Sequence, residues 1–447
     1  MLKERPQTQS SLEFVSIDEL VPSDHLLRTI DRSIDFLFLH DLVKGFYCAD
    51  NGRPALDPTL MFKLLFIGYL FGIRSERQLI REVQVNVAYR WFLGLGLTDK
   101  VPDASTLSAN RTRRFKESDI YQKIFDEIVL QAMKHKLVGG HTFYTDSTHL
   151  KANANKKHFK KVMVEKSRQA YMDELDKAIE EDRIVHGKKP LPPEKNKVES
   201  REIKQSTTDP ESGYMVRDTK PKGFFYLDHR TVDARCNIIT DVHVTAGNVH
   251  DAVPYLERLD RIKERFKFFI TSVGVDAGYF TSAVCHGLEE RHIYAVMGYR
   301  RPNHKKGFFY KREYKYDREH DVYLCPQGEK LIYKTTSREG YRHYDSDSRI
   351  CANCSEKHRC TINKKSVKTI TRHVLENSKE RINAHRLTPL GKVIYARRKE
   401  TVERSFADAK ELHGYRYARF RGKDKVTSQC LLTAAAQNMK KIAMMLS

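Results

Sequence analysis

Two apolar runs in this chain each end in a single acid, and that repeated stop constrains the fold more than any other feature. The first, "GGHTFYTDSTHLKANANKK" from Gly139, is cut by Asp146 and continues into small, polar and basic residues. The second, "FFITSVGVDAGY", stops at Asp276, followed by Ala277, Gly278 and Tyr279. Short apolar runs bounded by turn residues read as buried strands. An acid closing such a strand either starts a turn or holds something positive. Where helices cover a sheet, ligands collect at the carboxyl ends of its strands, so neighbouring strands would bring Asp146 and Asp276 together. Carboxylates that close repel, and their pKa values rise unless a cation lies between them.

The surrounding pattern predicts a mixed α/β sheet. "GFFYLDHRTV" and "CNIITDVHVT" flank a turn around Asp233 and Ala234 as a β-hairpin. A capped helix, "NVHDAVPYLERLDRIKERF", leads into the second acid-tipped strand; a helix from "TSAVCHGLEERH" and a fifth strand, "IYAVMGY", follow. The order is three antiparallel strands, then alternating helix and strand. Residues 1–136 read as helical. "SDHLLRTIDRSIDFLFL" starts behind a Ser23 cap, and "DPTLMFKLLFIGYLFG" behind Asp57 with Pro58 at the first helical position. In "SERQLIREVQVNVAYRWFLGL", Leu79, Val83, Val87 and Trp91 share one helical face. "ASTLSANRTRRFKE" gathers Arg111, Arg113 and Arg114, as in helix pairs that reach the major groove. A solvated helix end is the alternative.

At 447 residues, two or three modules are expected. Residues 1–136 are expected to form a helical region with the candidate DNA contacts, and 137–300 the first part of an α/β core that would carry the acids, with a polar insertion at 155–217. Residues 301–388 form an inserted Cys-rich subdomain, and 389–447 return helices to the core. Lys and Arg number 80 against 58 acids, a formal charge of +22 that favours a polyanion, nucleic acid first. A hydrophobic share of 40% excludes global disorder. The longest apolar run, "MFKLLFIGYLFGI", carries Lys63 and falls short of a membrane span. "MLKERPQTQSS" has no apolar signal core, so a cytoplasmic protein is expected.

A third acid fits the pair. In "RRKETVERSFADAK", 3.6 residues per turn puts Lys399, Glu403 and Lys410 on one face, beside an apolar stripe of Val402, Phe406 and Ala409. Asp146, Asp276 and Glu403 would hold Mg²⁺ (or Mn²⁺) ions that activate a water or 3′-hydroxyl for in-line displacement at phosphorus. Singly, each acid is equally a turn or surface residue. Cys325, Cys351, Cys354 and Cys360 include one C-x₂-C; they could close a structural Zn²⁺ site in an insertion lacking its own core, with reduced thiols as the alternative. Cys48, Cys236, Cys285 and Cys430 read as core residues. "HGYRYARFRGKDK" interleaves Tyr415, Tyr417 and Phe420 with Arg416, Arg419, Arg421, Lys423 and Lys425, a plausible DNA channel or a solvated loop. His250 reads as a hydrogen-bonded helix-start histidine, and His229 lies near a strand end.

Several of these stretches carry a family resemblance: "PTLMFKLLFIGYLFGIRSERQL", "YTDSTHLKANA", "TDPESGYMVRDTKPKGFFYLDHRTVD", "IITDVHVTAGNVHD", "VGVDAGY", "VERSFADAK" and "RFRG". Across nearly its whole length the chain resembles bacterial insertion-sequence transposases with an RNase H-like core and an Asp-Asp-Glu triad. It is most similar to the group numbered eleven-eighty-two, related to the IS-four and IS-five types. The resemblance implies Mg²⁺-dependent cutting at terminal inverted repeats and joining of freed 3′ ends to target DNA, by a nucleoid-associated homodimer. It makes Asp146, Asp276 and Glu403 the triad and Lys410 a phosphate contact. Related families carry a Tyr-Arg-Glu-Lys pattern on the last helix. Here Lys399 stands at the Arg place and Tyr395 one residue early, which leaves Tyr395 and Arg398 unassigned and Glu400 as a rival third acid. The rival functions are a site-specific nuclease with the same core and a DNA-binding derivative without catalysis.

Overall fold

The computed structural model describes residues 14–48, 55–165, 171–192, 200–217, 220–300 and 305–447. Five strands of the main sheet position the acids: β1 (Thr142–Lys151), β2 (Lys220–Asp233), β3 (Ile239–Ala246), β4 (Ser272–Val275) and β5 (Tyr294–Met297). Their spatial order is β3-β2-β1-β4-β5. β2 pairs antiparallel with both β1 and β3, and β4 and β5 join β1 in parallel, as the sequence pattern predicts. Every residue of β4 is buried, as expected for a parallel strand covered by helices. Gly274 is required there, because a Cβ would lie 2.7 Å from the Tyr144 ring.

The C-terminal helix Lys423–Leu446 closes the outer edge of β3 with one side chain. Asn438 accepts from the Ile239 amide (2.9 Å) and donates to the Ile239 carbonyl (2.7 Å), imitating a neighbouring strand. Deeper in, Arg230 and Asp228 of β2 are both fully buried and 2.7 Å apart. Arg230 also donates to Gln437 (2.6 Å) and Ser405 (3.2 Å), and the Tyr415 hydroxyl donates to Asp228 (2.8 Å). This network ties the helix carrying Ser405, Arg404–Leu412, and the C-terminal helix to the sheet. Asp228 Oδ1 and the second terminal nitrogen of Arg230 keep no hydrogen-bond partner among the described residues.

Several predicted boundaries move. Asp57 caps Pro58–Leu70 as expected, accepting from Thr59 and Leu60. Ser23 caps nothing: the helix Leu26–Ser33 starts later, with the His25 ring accepting from the Leu27 amide. The run from Glu76 is two helices, Glu76–Val85 and Val87–Phe92, because Asn86 is extended and caps the second through Tyr89. The helix expected from Asn248 begins only at Tyr255 (Tyr255–Phe266); the residues before it form turns, with His250 accepting from the Ala252 amide. The polar insertion contains an antiparallel ribbon, Phe159–Glu165 with Ser200–Ser206, and a helix, Tyr171–Val185; its last stretch, Gly213–Arg217, belongs to the main sheet beside β2.

The Cys-rich region was expected to lack a core, and it has one. Its five-stranded antiparallel sheet, from Lys315–Asp317 to Thr369–His373, packs around Tyr314, Tyr323, Leu331, Tyr344 and Ile370. Tyrosine rings supply apolar area while their hydroxyls find partners: Tyr316 and Tyr344 both donate to Asp321, at 2.6 and 2.7 Å. No helix among the described residues is long and apolar enough to cross a membrane.

Removing one partner of the buried pair should strand the other charge. Asp228→Asn is expected to lower stability by about 3 kcal/mol or more in urea unfolding; a change below about 1 kcal/mol would refute the role given to the pair.

Candidate active site

The parallel pairing of β1 with β4 runs from Thr142 opposite Ser272 to Thr145 opposite Val275. Asp146 and Asp276 are the next residues on adjacent strands, so the sheet brings the two acids together. Asp276 also makes the turn, its Oδ1 accepting from the Gly278 amide at 2.7 Å. Asp146 Oδ1 accepts from the Ser147 amide at 2.8 Å. Burial is the main cause pushing the Asp146 carboxyl up to about 6; Arg398 opposes the rise, Asp276 adds to it, the Ser147 amide opposes it and Asp251 adds to it.

Glu403 reaches this place by a local deviation from helical geometry. The helix Pro389–Ala396 is capped by Thr388 and leads into a wider turn, Lys399–Glu403, in which the Glu403 amide bonds the Arg398 carbonyl five residues back (3.1 Å). Single π-turns of this kind are frequent at functional sites. The extra residue corrects the count made at 3.6 residues per turn. Lys399 is exposed, and Arg398 takes the place beside Glu403. The Arg398 guanidinium, 5% exposed, lies 2.7 Å from Asp146 Oδ2 and 3.6 Å from Glu403 Oε1. Tyr395 and Arg398, both one residue early in the sequence pattern, are brought into register by the same turn, with the guanidinium 5.5 Å from the Tyr395 ring centre. Glu403 is 45% exposed and meets Asp146 across Arg398. Glu400 is exposed, and Lys410 lies farther along on Arg404–Leu412.

Sequence reasoning missed Arg398 and Asp251. The one-residue offset of Tyr395 was the available signal for the first. Asp251 fell inside the stretch expected as a capped helix; instead it lies in the turns before that helix and accepts from the Ser147 hydroxyl at 2.7 Å. Hard carboxylate oxygens from Asp146 and Asp276 suit a divalent cation. However, no group of three or more His, Cys, Asp or Glu among the described residues is arranged to hold a metal ion, and Arg398 lies between Asp146 and Glu403.

The predicted basic contacts divide into two groups. Arg111 pairs with Glu76 and lies 4.0 Å over Phe420, Arg114 lies 4.1 Å over Tyr47, and Arg419 lies 4.3 Å over Tyr69. These three guanidinium groups are half-buried and have partners within the protein. Arg113, Arg416, Arg421 and Lys423 are exposed, although Arg416 pairs with Glu411 and Arg421 donates to the Asn153 carbonyl. Tyr415 is buried, so it cannot stack on a base as expected; Tyr417 is exposed, with Lys151 5.6 Å from its ring centre. Cys325, Cys351, Cys354 and Cys360 line one small cavity of about 30 Å³. They are free thiols, Cys360 sharing a hydrogen bond with the Tyr314 hydroxyl and Cys351 donating to Ser346, and as they stand they do not form the expected zinc set.

Two family models match the chain: "Transposase domain (DUF772)" over residues 15–113 and "Transposase DDE domain" over residues 324–443. The second stretch contains Arg398, Glu403 and Lys410; Asp146 and Asp276 lie outside both. No curated protein matches the chain. Among solved structures, the chain is similar to one titled "Crystal structure of the Mos1 mariner paired end complex with Mn", at 14% identity over 62% of this chain and 68% of that one. The TM-score of 0.17 is too low for that likeness to bear on fold or chemistry.

The folded-state value for Asp146 lies above that of an unfolded chain. Its protonated form therefore favours folding, a contribution present below about pH 4 and lost as pH rises through about 6. Carboxyl-detected NMR should find Asp146 titrating near 6. Arg398→Gln should raise that value and Asp276→Asn lower it; shifts in the opposite directions would contradict the geometry.

Proposed function

We infer that this chain, which carries a transposase domain near its start and a transposase DDE domain towards its end, is a DNA transposase of a bacterial insertion sequence. It would cut phosphodiesters at the element's terminal inverted repeats and transfer the freed 3′-OH strand into target DNA. One observation carries the chemistry: Asp146 and Asp276 follow directly on the last parallel pair between β1 and β4, with Glu403 facing Asp146 across Arg398. The strand order β3-β2-β1-β4-β5, three antiparallel and two parallel, supports an RNase H-like core.

Mg²⁺ (or Mn²⁺) held by Asp146, Asp276 and Glu403 would supply Lewis-acid activation of a water or 3′-hydroxyl and neutralise charge at phosphorus. The chain's own residues do the rest. Burial of Asp146 makes its carboxylate hungry for positive charge, which Arg398 now supplies. A guanidinium binds phosphate as readily as carboxylate, so an incoming phosphodiester offers Arg398 a second partner and releases the acids toward Glu403. Lys410 contacts phosphate, and the exposed Arg113, Arg416, Arg421 and Lys423 grip the backbone without reading sequence. The positive balance of the chain, +22, supports this role. Pairing two ends of one element calls for a homodimer on DNA, in the cytoplasm at the nucleoid. A structural Zn²⁺ would be held by the four cysteines that line one cavity, Cys351 and Cys354 from one turn and Cys325 and Cys360 beside them.

Purified protein incubated with a labelled terminal repeat, a target plasmid and Mg²⁺ or Mn²⁺ should give covalently joined products. Asp146→Asn should cut the rate to about a thousandth or less while DNA binding stays near the parent level. Nicks without joining would make the protein a nuclease, and binding without nicks a silent derivative. Metal analysis tests the cysteines: one equivalent of zinc supports the structural site, and none removes it.

A further inference from the structure

The backbone around Tyr417 is fixed while its side chain stands open. Tyr417 lies in the loop between Arg404–Leu412 and the C-terminal helix, where it pairs in parallel with Lys151 at the end of β1. The Ala418 amide donates to the Lys151 carbonyl at 2.8 Å, and the buried Gln429 side chain donates to the Tyr417 carbonyl at 3.0 Å. Tyr417 itself remains 47% exposed.

Its ring forms one wall of an open cleft of about 380 Å³, together with Lys151, Asn153, Asn155, Thr208 and Arg421. That volume lies within the range of small-ligand clefts, about 300–1,000 Å³. Two cations and no acid line the cleft among the described residues, so it favours an anion. Arg421 donates through Nε to the Asn153 carbonyl at 3.0 Å, and a guanidinium carries further N–H groups for a phosphate oxygen. Asn153 and Asn155 are exposed carboxamides, able to donate to and accept from the edge of a base. Arg74 and Lys151 flank the ring at 5.4 and 5.6 Å from its centre. Both are looser than the guanidinium groups on Phe420 and Tyr69, at 4.0 and 4.3 Å, so a flat ligand competes well for the ring face.

A nucleotide whose base is unstacked matches this chemistry. In a duplex the base faces are covered by their neighbours; only phosphates would meet the cleft, and the ring would gain nothing. An unpaired base offers its face to a tyrosine while its phosphate meets the cations, which is how single strands are bound. We propose that this cleft binds one unpaired nucleotide of a DNA strand, the base on Tyr417 and the phosphate between Lys151 and Arg421. The proposal rests on DNA being the partner, as inferred above, and adds a single-strand site apart from the acids. Five residues of β1 separate Asp146 from Lys151, about 17 Å along the strand.

Fluorescence-polarisation titrations of the full chain, without divalent metal so that nothing is cut, test this with labelled oligothymidylate and with a duplex of equal length. Tyr417→Ala should weaken single-strand binding by about 5- to 100-fold and leave duplex binding near the parent. Tyr417→Phe, which keeps the ring, should stay near the parent on both. Parent-like single-strand affinity in Tyr417→Ala overturns the proposal, and so does an equal loss on both DNAs. Should Tyr417→Ala fail to fold, a 2-aminopurine flanked by thymines reads stacking on the parent protein: quenching supports the site, and unchanged or brighter emission overturns it. Thymidine monophosphate that displaces the strand at comparable concentration would make the cleft a mononucleotide site and overturn the strand reading. A parent protein that binds neither DNA overturns the DNA partner itself. One that binds the duplex, with Tyr417→Ala unchanged on the single strand, overturns only this cleft.

Discussion

The structure depends on two carboxylates kept side by side in a partly desolvated place. Backbone pairing between β1 and β4 stops at Thr145 and Val275, and the next residue on each strand is an aspartate. Burial and the neighbouring charge both favour protonation of Asp146. Such an arrangement persists only when positive charge is at hand, and Arg398 provides it at 2.7 Å. Sheet, helices and wide turn can be understood as the means of bringing one guanidinium and one further carboxylate to that point.

The turn at Lys399–Glu403 links helix geometry to chemistry. A regular helix would have set Lys399 beside Glu403, and a lysine on a flexible stem presents a point charge. The five-residue hydrogen bond from Glu403 to Arg398 sets a planar fork there instead, able to span Asp146 and Glu403 together. The helix can bear this irregularity because it is anchored on both sides. Thr388 caps its start, and the Arg230–Asp228 network holds Ser405 and the C-terminal helix against the sheet.

Much of this was legible from residue order. The strand that stops at Asp276, the β2–β3 hairpin and the amphipathic last helix follow from apolar periodicity and turn residues, whereas the strand expected to stop at Asp146 runs on to Lys151, because its polar second half stays paired with β2. The rest was hidden for physical reasons. A π-turn has no compositional mark, so the offset of Tyr395 and Arg398 looked like a departure when it was a compensation. Asn86 splits one apolar face into two helices because a carboxamide competes with the backbone for amide partners. Charge alone does not separate exposed cations from those stacked on rings, as Arg111, Arg114 and Arg419 are. A tyrosine-rich stretch looks polar in sequence, yet Tyr323 and Tyr344 pack edge to face at 5.1 Å. Asp251 was invisible because the path of a turn over a sheet is decided by tertiary contacts.

The central claim is that Asp146, Asp276 and Glu403 close on a cation once Arg398 has a phosphate to turn to. A crystal structure with Mn²⁺ and a terminal-repeat duplex tests it directly through the anomalous signal of the metal. The account predicts a peak about 2.1 Å from oxygens of Asp146 and Asp276, with Glu403 turned to the metal and Arg398 on a phosphate. A metal held elsewhere, or Glu403 facing solvent with Arg398 still bound to Asp146, would contradict it.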